Sequence, residues 1–545
     1  MNRPVWYQTT DEGDDEPTMA DRLTALQIAQ QTSGRGLDPL RGIIAAVRED
    51  IAATVPAGEL RQPDGRVASQ VAESARRHLE AYQTRAGAGG IPPLWPVSDG
   101  ATGAADLVQR VMDEILGLGP LQALMDAPGI EDIAINGPHE VYVFAGGWER
   151  SPVRFESAEE LTVLVNRAIS HTGRQVSALA PRVDAQLRDG SRIAILHPSV
   201  ASPGPAVTIR RYTDRVLRML DLVRAGSGGG AGPRPPARLT DYLGLGVWDG
   251  TITPQAAAFL ELCVLARLNL IVVGGTGAGK TTLLNALAEL IPLQERIVTI
   301  EDTRELRLRH GSPPEDAPEP AEGTRGYHNA VHLTVRYETV EGARGVDQQA
   351  LMQSALRMRP DRLVVGEVRG AEALDLLMAH NTGHDGGMTT LHANSLAEVP
   401  KRLAQMIQLN DLSIKIDRRT VAEWVAGAFQ IGVFVRRDPA TNRRAVTQIV
   451  EYTGQVEGEA VLTQPLFDLR DGLLRRTPYR LHQESLLARV GHSYDTIVEM
   501  DRLAPVVHPA PLIAPLFAGC STGCSTISGG EEPRPTGRVQ SRRTP

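Results

Sequence analysis

Residues 274–281 read Gly-Gly-Thr-Gly-Ala-Gly-Lys-Thr, the spacing G-x-x-x-x-G-K-T of a phosphate-binding loop. The apolar run Leu268 to Val273 before it predicts a buried strand, and Thr282 to Leu290 after it has the apolar spacing of a helix. In that setting the backbone N–H groups of Gly274, Gly275, Thr276, Gly277, Ala278 and Gly279 wrap phosphates, and the helix N-terminus that Thr282 opens favours the anion. Lys280 is placed to reach the β- and γ-phosphates, and the Thr281 hydroxyl to ligate Mg²⁺. The pattern therefore implies that the chain binds ATP with Mg²⁺ as cofactor.

Four further stretches bear on what the nucleotide is for. RIVTIEDTREL, residues 296–306, alternates as a strand does and ends at Glu301 and Asp302, where a carboxylate can orient an attacking water. In LRMRPDRLVVGEVRG, residues 356–370, an apolar strand ends at Gly366-Glu367, and a carboxylate at such a strand tip can hold Mg²⁺ and its waters. Glu367 is thus the expected Walker B acid. NTGHDGGMTTLHANS, residues 381–395, carries His384 and His392 in a Gly/Thr-rich loop able to approach a γ-phosphate. DAQLRDGSRIAILHPS, residues 184–199, and VTIRRY, residues 207–212, set Arg192, Arg210 and Arg211 in β-hairpin surroundings suited to clamping phosphate. Each has a plainer reading: loop histidines satisfied by backbone, Glu301 paired with Arg304 or Arg307, strand-end arginines simply solvated.

The elements that must position these residues follow from composition. A chain of 545 residues suggests three or four domain-sized units. Net charge −8 argues against a general nucleic-acid coat, and 4% aromatic residues offer few stacking platforms, so no direct nucleic-acid partner is expected. Three cysteines imply a reducing compartment; Cys520 and Cys524 have no second ligand pair and receive no role. The acidic start, Asp11 to Glu16, does not read as a secretory signal, and the Pro-rich uncharged stretch Ala504 to Gly530 reads as a flexible tail. Residues 1–100 read as partly helical but largely flexible, with helix-like pieces at Ala20–Val55 and Arg66–Thr84, and 101–225 as a small α/β module. A Gly/Pro-rich connector covers 226–238, the nucleotide domain 239–455 with a Pro/Glu-rich insertion at 311–323, and a C-terminal extension with a flexible tail 456–545.

Taken in order, these motifs resemble the type II/IV secretion ATPase superfamily, in particular its CpaF-like branch of tight-adherence pilus ATPases. Gly274 to Thr281 match its Walker A, Glu301 and Asp302 its Asp box, Gly366 and Glu367 its Walker B, and His384 and His392 its His box. Arg336, in HLTVRYETVEG, falls on the family's arginine, and the similarity covers about residues 105 to 455. The resemblance implies an α/β fold: a RecA-like P-loop motor domain behind a smaller α/β N-terminal domain, with partly disordered termini. It implies a homo-hexameric ATPase, cytoplasmic and peripheral at the inner face of the membrane, working on an inner-membrane platform. It also implies roles: Glu301, Glu367, Lys280, His392 and Arg210 in catalysis, Arg192, Arg210, Arg336 and His384 on the nucleotide, and Thr281 and Glu367 on Mg²⁺. Two alternatives stay open, a conjugative-transfer ATPase and a nucleotide-gated docking protein with little turnover.

Overall fold

The computed structural model describes residues 37–56, 59–60, 63–88, 91–95, 100–212, 217–223, 250–308, 328–337, 344–410, 416–439, 441–470 and 472–503. The first part of the helix-like piece expected from Ala20, residues 20–36, lies outside the described residues, as do the connector at 226–238, the insertion at 311–323 and the tail from 504 with Cys520 and Cys524.

Among the described residues of the first hundred, two helices stand out. Helices α1 (Leu37–Thr54) and α2 (Gly65–Gly87) pack with α3 (Gly100–Ile115) around Val47, Val67, Val71, Leu79 and Val111. Helix α2 starts where it does because the Asp64 carboxylate accepts the Val67 N–H at 2.9 Å, satisfying one of the free donors of the first turn. After a short helix α4 (Gln122–Asp126) comes an antiparallel six-stranded sheet in the order β3-β2-β1-β6-β5-β4. Its strands are β1 (Asp132–Asn136), β2 (Val141–Phe144), β3 (Trp148–Arg150), β4 (Arg182–Gln186), β5 (Arg192–Leu196) and β6 (Ala206–Arg210). Ile133, Ile135, Ile193, Ile195, Val207 and Ile209 point inward onto Leu161 and Val165 of helix α5 (Ala158–Ile169). Alternation then puts Asp132, Arg192 and Arg210 on the opposite face, and the register sets Arg210 directly between Asp132 and Arg192.

The second sheet has nine strands in the order β15-β14-β13-β12-β7-β11-β10-β8-β9. Strands β7 (Leu270–Gly274), β8 (Arg296–Glu301), β9 (Asn329–Thr334), β10 (Arg362–Val365), β11 (Met388–Leu391) and β12 (Ile431–Arg437) run parallel to one another. Strand β7 is buried along its whole length, which is why its sequence is an unbroken apolar run. Leu270 and Val272 face helices α7 (Pro254–Leu265) and α8 (Lys280–Ala288), with α6 (Met219–Val223) beside them. Ile271 and Val273 face α9 (Gln348–Ala355), α10 (Glu372–Asn381), α11 (Val399–Asn410) and α12 (Arg418–Ala428). The chain is thus a mixed α/β protein with a sheet domain preceding a larger, two-sided α/β domain.

The expected boundary at 455 falls inside a strand. β13 (Arg444–Glu457) runs straight through it and pairs antiparallel with β12 and with β14 (Ala460–Arg470), which β15 (Leu473–Arg476) follows. Leu481, Leu487, Tyr494 and Ile497, the last two on α13 (Tyr494–Leu503), then join the same core as Phe259 and Phe467. Glu451 fixes this return: its carboxylate accepts the backbone N–H groups of His482 at 2.6 Å and Gln483 at 2.9 Å. Up to residue 503 the extension is therefore part of the motor domain's packing. Between β15 and α13 the chain passes through a 3₁₀ helix, Glu484–Val490.

Candidate active site

The parallel strands deliver their C-terminal ends to one edge, the usual location of a site in an open α/β sheet. From β7 the chain enters the phosphate loop. A Cβ built on Gly274 would clash with the Val435 carbonyl oxygen, so only glycine lets the loop leave the sheet beside β12. Gly277 and Gly279 take φ values of +69° and +94°, and the second turns the chain straight into α8, which opens at Lys280 rather than Thr282. Gly275, Thr276 and Thr282 are exposed, Gly277 and Thr281 are half-buried and Ala278 is buried.

Lys280 leads into a chain of alternating charges. Its Nζ donates to the Gly275 carbonyl at 3.0 Å and stands 3.1 Å from His392 Nε2 and 3.3 Å from Nδ1. His392 Nε2 also lies 3.0 Å from Glu367 Oε1, so the ring stands between the ammonium and the carboxylate. Glu367 Oε2 accepts Arg369 Nη2 at 2.8 Å, and Arg369 Nη1 reaches Asp302 at 2.9 Å. Asp302 also accepts the Tyr337 hydroxyl. Burial pushes Lys280 down to about 8, helped by Arg369 and Arg210 and opposed by Glu367. Burial likewise lowers His392, with Glu367 opposing and Lys280 adding, in keeping with a neutral ring.

Glu301 sits deeper than its motif suggests. It is 2% exposed, and its Oε1 accepts the N–H groups of Glu305 and Leu306, both at 2.8 Å, while the buried Oε2 has no hydrogen-bond partner among the described residues. Burial raises it to about 7 against the pull of those N–H groups and of Arg192. Its hydrogen bonds thus brace the loop that follows its strand, where the plainer reading had it paired with Arg304 or Arg307. A Cβ on Gly366 would come within 3.2 Å of Glu301 Cγ, so glycine at the tip of β10 gives that side chain its room.

The N-terminal domain closes on this edge. Arg192 donates to the Thr303 hydroxyl, and its Nη2 and Nη1 stand 3.0 Å from Glu305 and 4.0 Å from Asp302. Arg210 is held by Asp132 at 3.0 Å, remains half exposed, and lies near enough to depress Lys280. Arg211 instead turns to backbone carbonyls, Ile130 at 3.0 Å and Ala127, and serves its own domain.

Two expected ligands lie elsewhere. His384 precedes β11 and so occupies the opposite end of the sheet from His392; its N–H and Nδ1 face the Ala379 carbonyl at 3.2 and 3.3 Å. The backbone, not a phosphate, satisfies it. Arg336 follows β9 at the sheet edge, four strand positions from β7, or roughly 19 Å at the usual strand spacing. Its side chain donates to the Arg344 carbonyl at 2.9 Å, so it is not on its own chain's phosphate loop. Conversely, Arg369, Arg437 and Arg444 were not singled out. Arg369 stands two residues past Glu367, and the other two flank the turn RRDPATNRR, whose density of arginines was the available signal.

For a divalent ion, the Thr281 hydroxyl and the Glu367 carboxylate are hard oxygen donors of the kind Mg²⁺ takes. Glu367 is paired with Arg369 at 2.8 Å, so it would hold an ion only if Arg369 gives way or the other carboxylate oxygen is used.

The profile of the family described as type II/IV secretion system protein matches residues 239–421. A candidate conjugal transfer protein of Mycobacterium tuberculosis is 38% identical over 338 residues, covering 61% of this chain and 83% of that protein. The type IV secretion system protein PtlH of Bordetella pertussis is 34% identical over 60% of this chain and 93% of its own length. Among solved structures, the VirB11 ATPase of Brucella suis in complex with sulphate is 28% identical, covering 62% of this chain and 97% of that one, with a TM-score of 0.30. With relatives matched at that identity over most of their length, the chain belongs to the type II/IV secretion ATPase family.

Proposed function

We propose that the chain hydrolyses Mg·ATP as a homo-hexameric motor of the CpaF-like branch, driving pilus assembly or protein secretion through an inner-membrane platform from the cytoplasmic side. The observation that carries this reading is the convergence of Lys280, His392 and Glu367 with Arg192 and Arg210, which belong to a different domain. A regulator that merely binds nucleotide has no need of a second domain's arginines at the phosphates. Thr281 and Glu367 are the residues that would hold Mg²⁺, whose charge would offset that of the phosphates. Lys280 binds the phosphates, Arg192 and Arg210 exclude water and stabilise developing charge, and Glu301, titrating near neutrality, takes the proton of the attacking water. That last role requires the 303–306 loop to release Glu301 when nucleotide enters.

Steady-state phosphate release tests the reading. The wild-type chain turns over ATP, and Lys280→Ala abolishes turnover and weakens nucleotide binding, because it removes the cation that the phosphate loop itself carries to the phosphates; binding without turnover in the wild type would favour the docking protein. The Mycobacterium tuberculosis relative gives the conjugative reading one specific support. Turnover stimulated by single-stranded DNA would favour it over the pilus.

A further inference from the structure

The β12–β13 turn stands between the phosphate loop and the N-terminal domain and touches both. The register pairs Arg437 with Arg444 across the two antiparallel strands, so their side chains leave the same face of the sheet. Because β12 lies beside β7, with Val435 opposite Gly274, that face overlooks the loop. Arg444 uses both ends of its guanidinium: Nε donates to the Gly277 carbonyl at 2.9 Å, and Nη2 to Glu131 of the N-terminal domain at 2.6 Å. Arg437 lies over the Phe144 ring of β2 at 4.9 Å and would stand 3.4 Å from a Cβ on Gly277. The turn keeps this shape by its own bonds. Asp438 N–H donates to the Arg443 carbonyl at 2.8 Å, and Arg437 Nε donates to the side chain of Asn442, whose left-handed φ of 57° allows the reversal.

Glu131 is equally well placed to pass motion on. Its carbonyl accepts the Arg211 N–H at 2.9 Å, and its neighbour Asp132 holds Arg210 at 3.0 Å. Whatever shifts Glu131 shifts the row that carries Arg210 and Arg192. Gly277, in turn, is a loop residue whose carbonyl must reorient if its peptide rotates toward a phosphate.

We propose that Arg444 is a positioning residue that couples the conformation of the phosphate loop to the placement of the N-terminal domain, its single guanidinium holding the Gly277 carbonyl and the Glu131 carboxylate together. The proposal rests on the nucleotide site being the one argued above. When the loop closes on phosphate, the Arg444–Glu131 pair draws the domain's arginines with it, and when Arg444 or Glu131 is lost, the loop still closes but the domain no longer follows. Arg444 touches no phosphate in this scheme.

The test uses the full chain with Cys520→Ser and Cys524→Ser, dyes on Glu149→Cys of the N-terminal domain and Arg419→Cys of the motor domain, and a non-hydrolysable ATP analogue. The wild-type background changes energy transfer on binding the analogue; Arg444→Ala and Glu131→Gln each lose at least half of that change. In turnover, each single variant falls about tenfold, as expected for loss of a charged hydrogen bond, and the double variant falls no further than the worse single one. Glu131→Gln preserves size, so it answers the question even if Arg444→Ala fails to fold. Energy transfer that responds fully to the analogue in Glu131→Gln, or that is unresponsive in the wild type, overturns the link, as do losses in the two single variants that multiply in the double. A chain that binds the analogue and moves but releases no phosphate overturns the motor reading while upholding this one.

Discussion

Glu301 ties a site residue to the pH dependence of stability. Its folded pKa, about 7, lies above its ordinary 4.5, so the proton it holds stabilises the fold below 4.5, and that contribution is lost as pH rises toward 7. Glu301→Gln, permanently neutral and still able to accept the Glu305 and Leu306 N–H groups, should therefore be more stable than wild type at pH 8 and equal to it near pH 4.5. Each pKa unit is worth about 1.4 kcal/mol. Urea unfolding at the two pH values measures this, and a variant less stable at pH 8 would show that the carboxylate is favoured as an anion. The same variant should bind nucleotide yet lose turnover. The two histidines of the motif should part company as well: His392→Ala, which removes the group between Lys280 and Glu367, should lower turnover tenfold or more, whereas His384→Ala should leave it within about twofold, since surface changes away from such contacts are usually small. Equal losses would return His384 to the site.

Among the elements, the C-terminal return is where stability and site meet. Truncation after residue 483 removes Leu487, Tyr494 and Ile497 from the core around Phe259 and should give an unstable, aggregating protein, read as a lost or much lowered unfolding midpoint. Truncation after 503 should fold and bind nucleotide. A stable, ATP-binding 1–483 chain would show that the sheet holds without its return. This was the least legible part of the sequence: Leu481, Leu487 and Tyr494 fall on coil, a 3₁₀ helix and the start of α13 in turn, and the return begins where a long-range partner, Glu451, holds His482 and Gln483. The strands that lead to the phosphate loop and to Glu367 were legible because buried parallel strands write themselves as short apolar runs, whereas β11, which leads to His392, is the Met-Thr-Thr-Leu run that reads as loop. What the spacing did not reveal is direction: His384 and His392 lie at either end of β11, and only topology separates them. The ion pairs of Arg369 and Arg444 are likewise pairings of distant residues that no local pattern records.

Taken whole, the molecule has, among the described residues, separate hydrophobic interiors: one among the N-terminal helices, one under the antiparallel sheet and two on the faces of the larger one. The contacts described between the sheet domain and the motor are of another kind: Arg192 with Glu305, Arg444 with Glu131, Arg437 over Phe144 and Arg307 over the Tyr212 ring at 3.4 Å. Salt weakens such contacts and nearby phosphate strengthens a cluster of arginines. The two bodies can therefore be regarded as a receptor and a ligand that happen to share a chain. Expressed as separate pieces, 37–216 and 217–503, they should recombine in low salt when ATP is present and drift apart when it is withdrawn or the salt is raised, with analytical ultracentrifugation following the exchange. Pieces that stay together in high salt without nucleotide would mean an apolar seam holds them. On this arrangement the nucleotide is itself the adhesive, and the covalent linker only sets the local concentration at which it works.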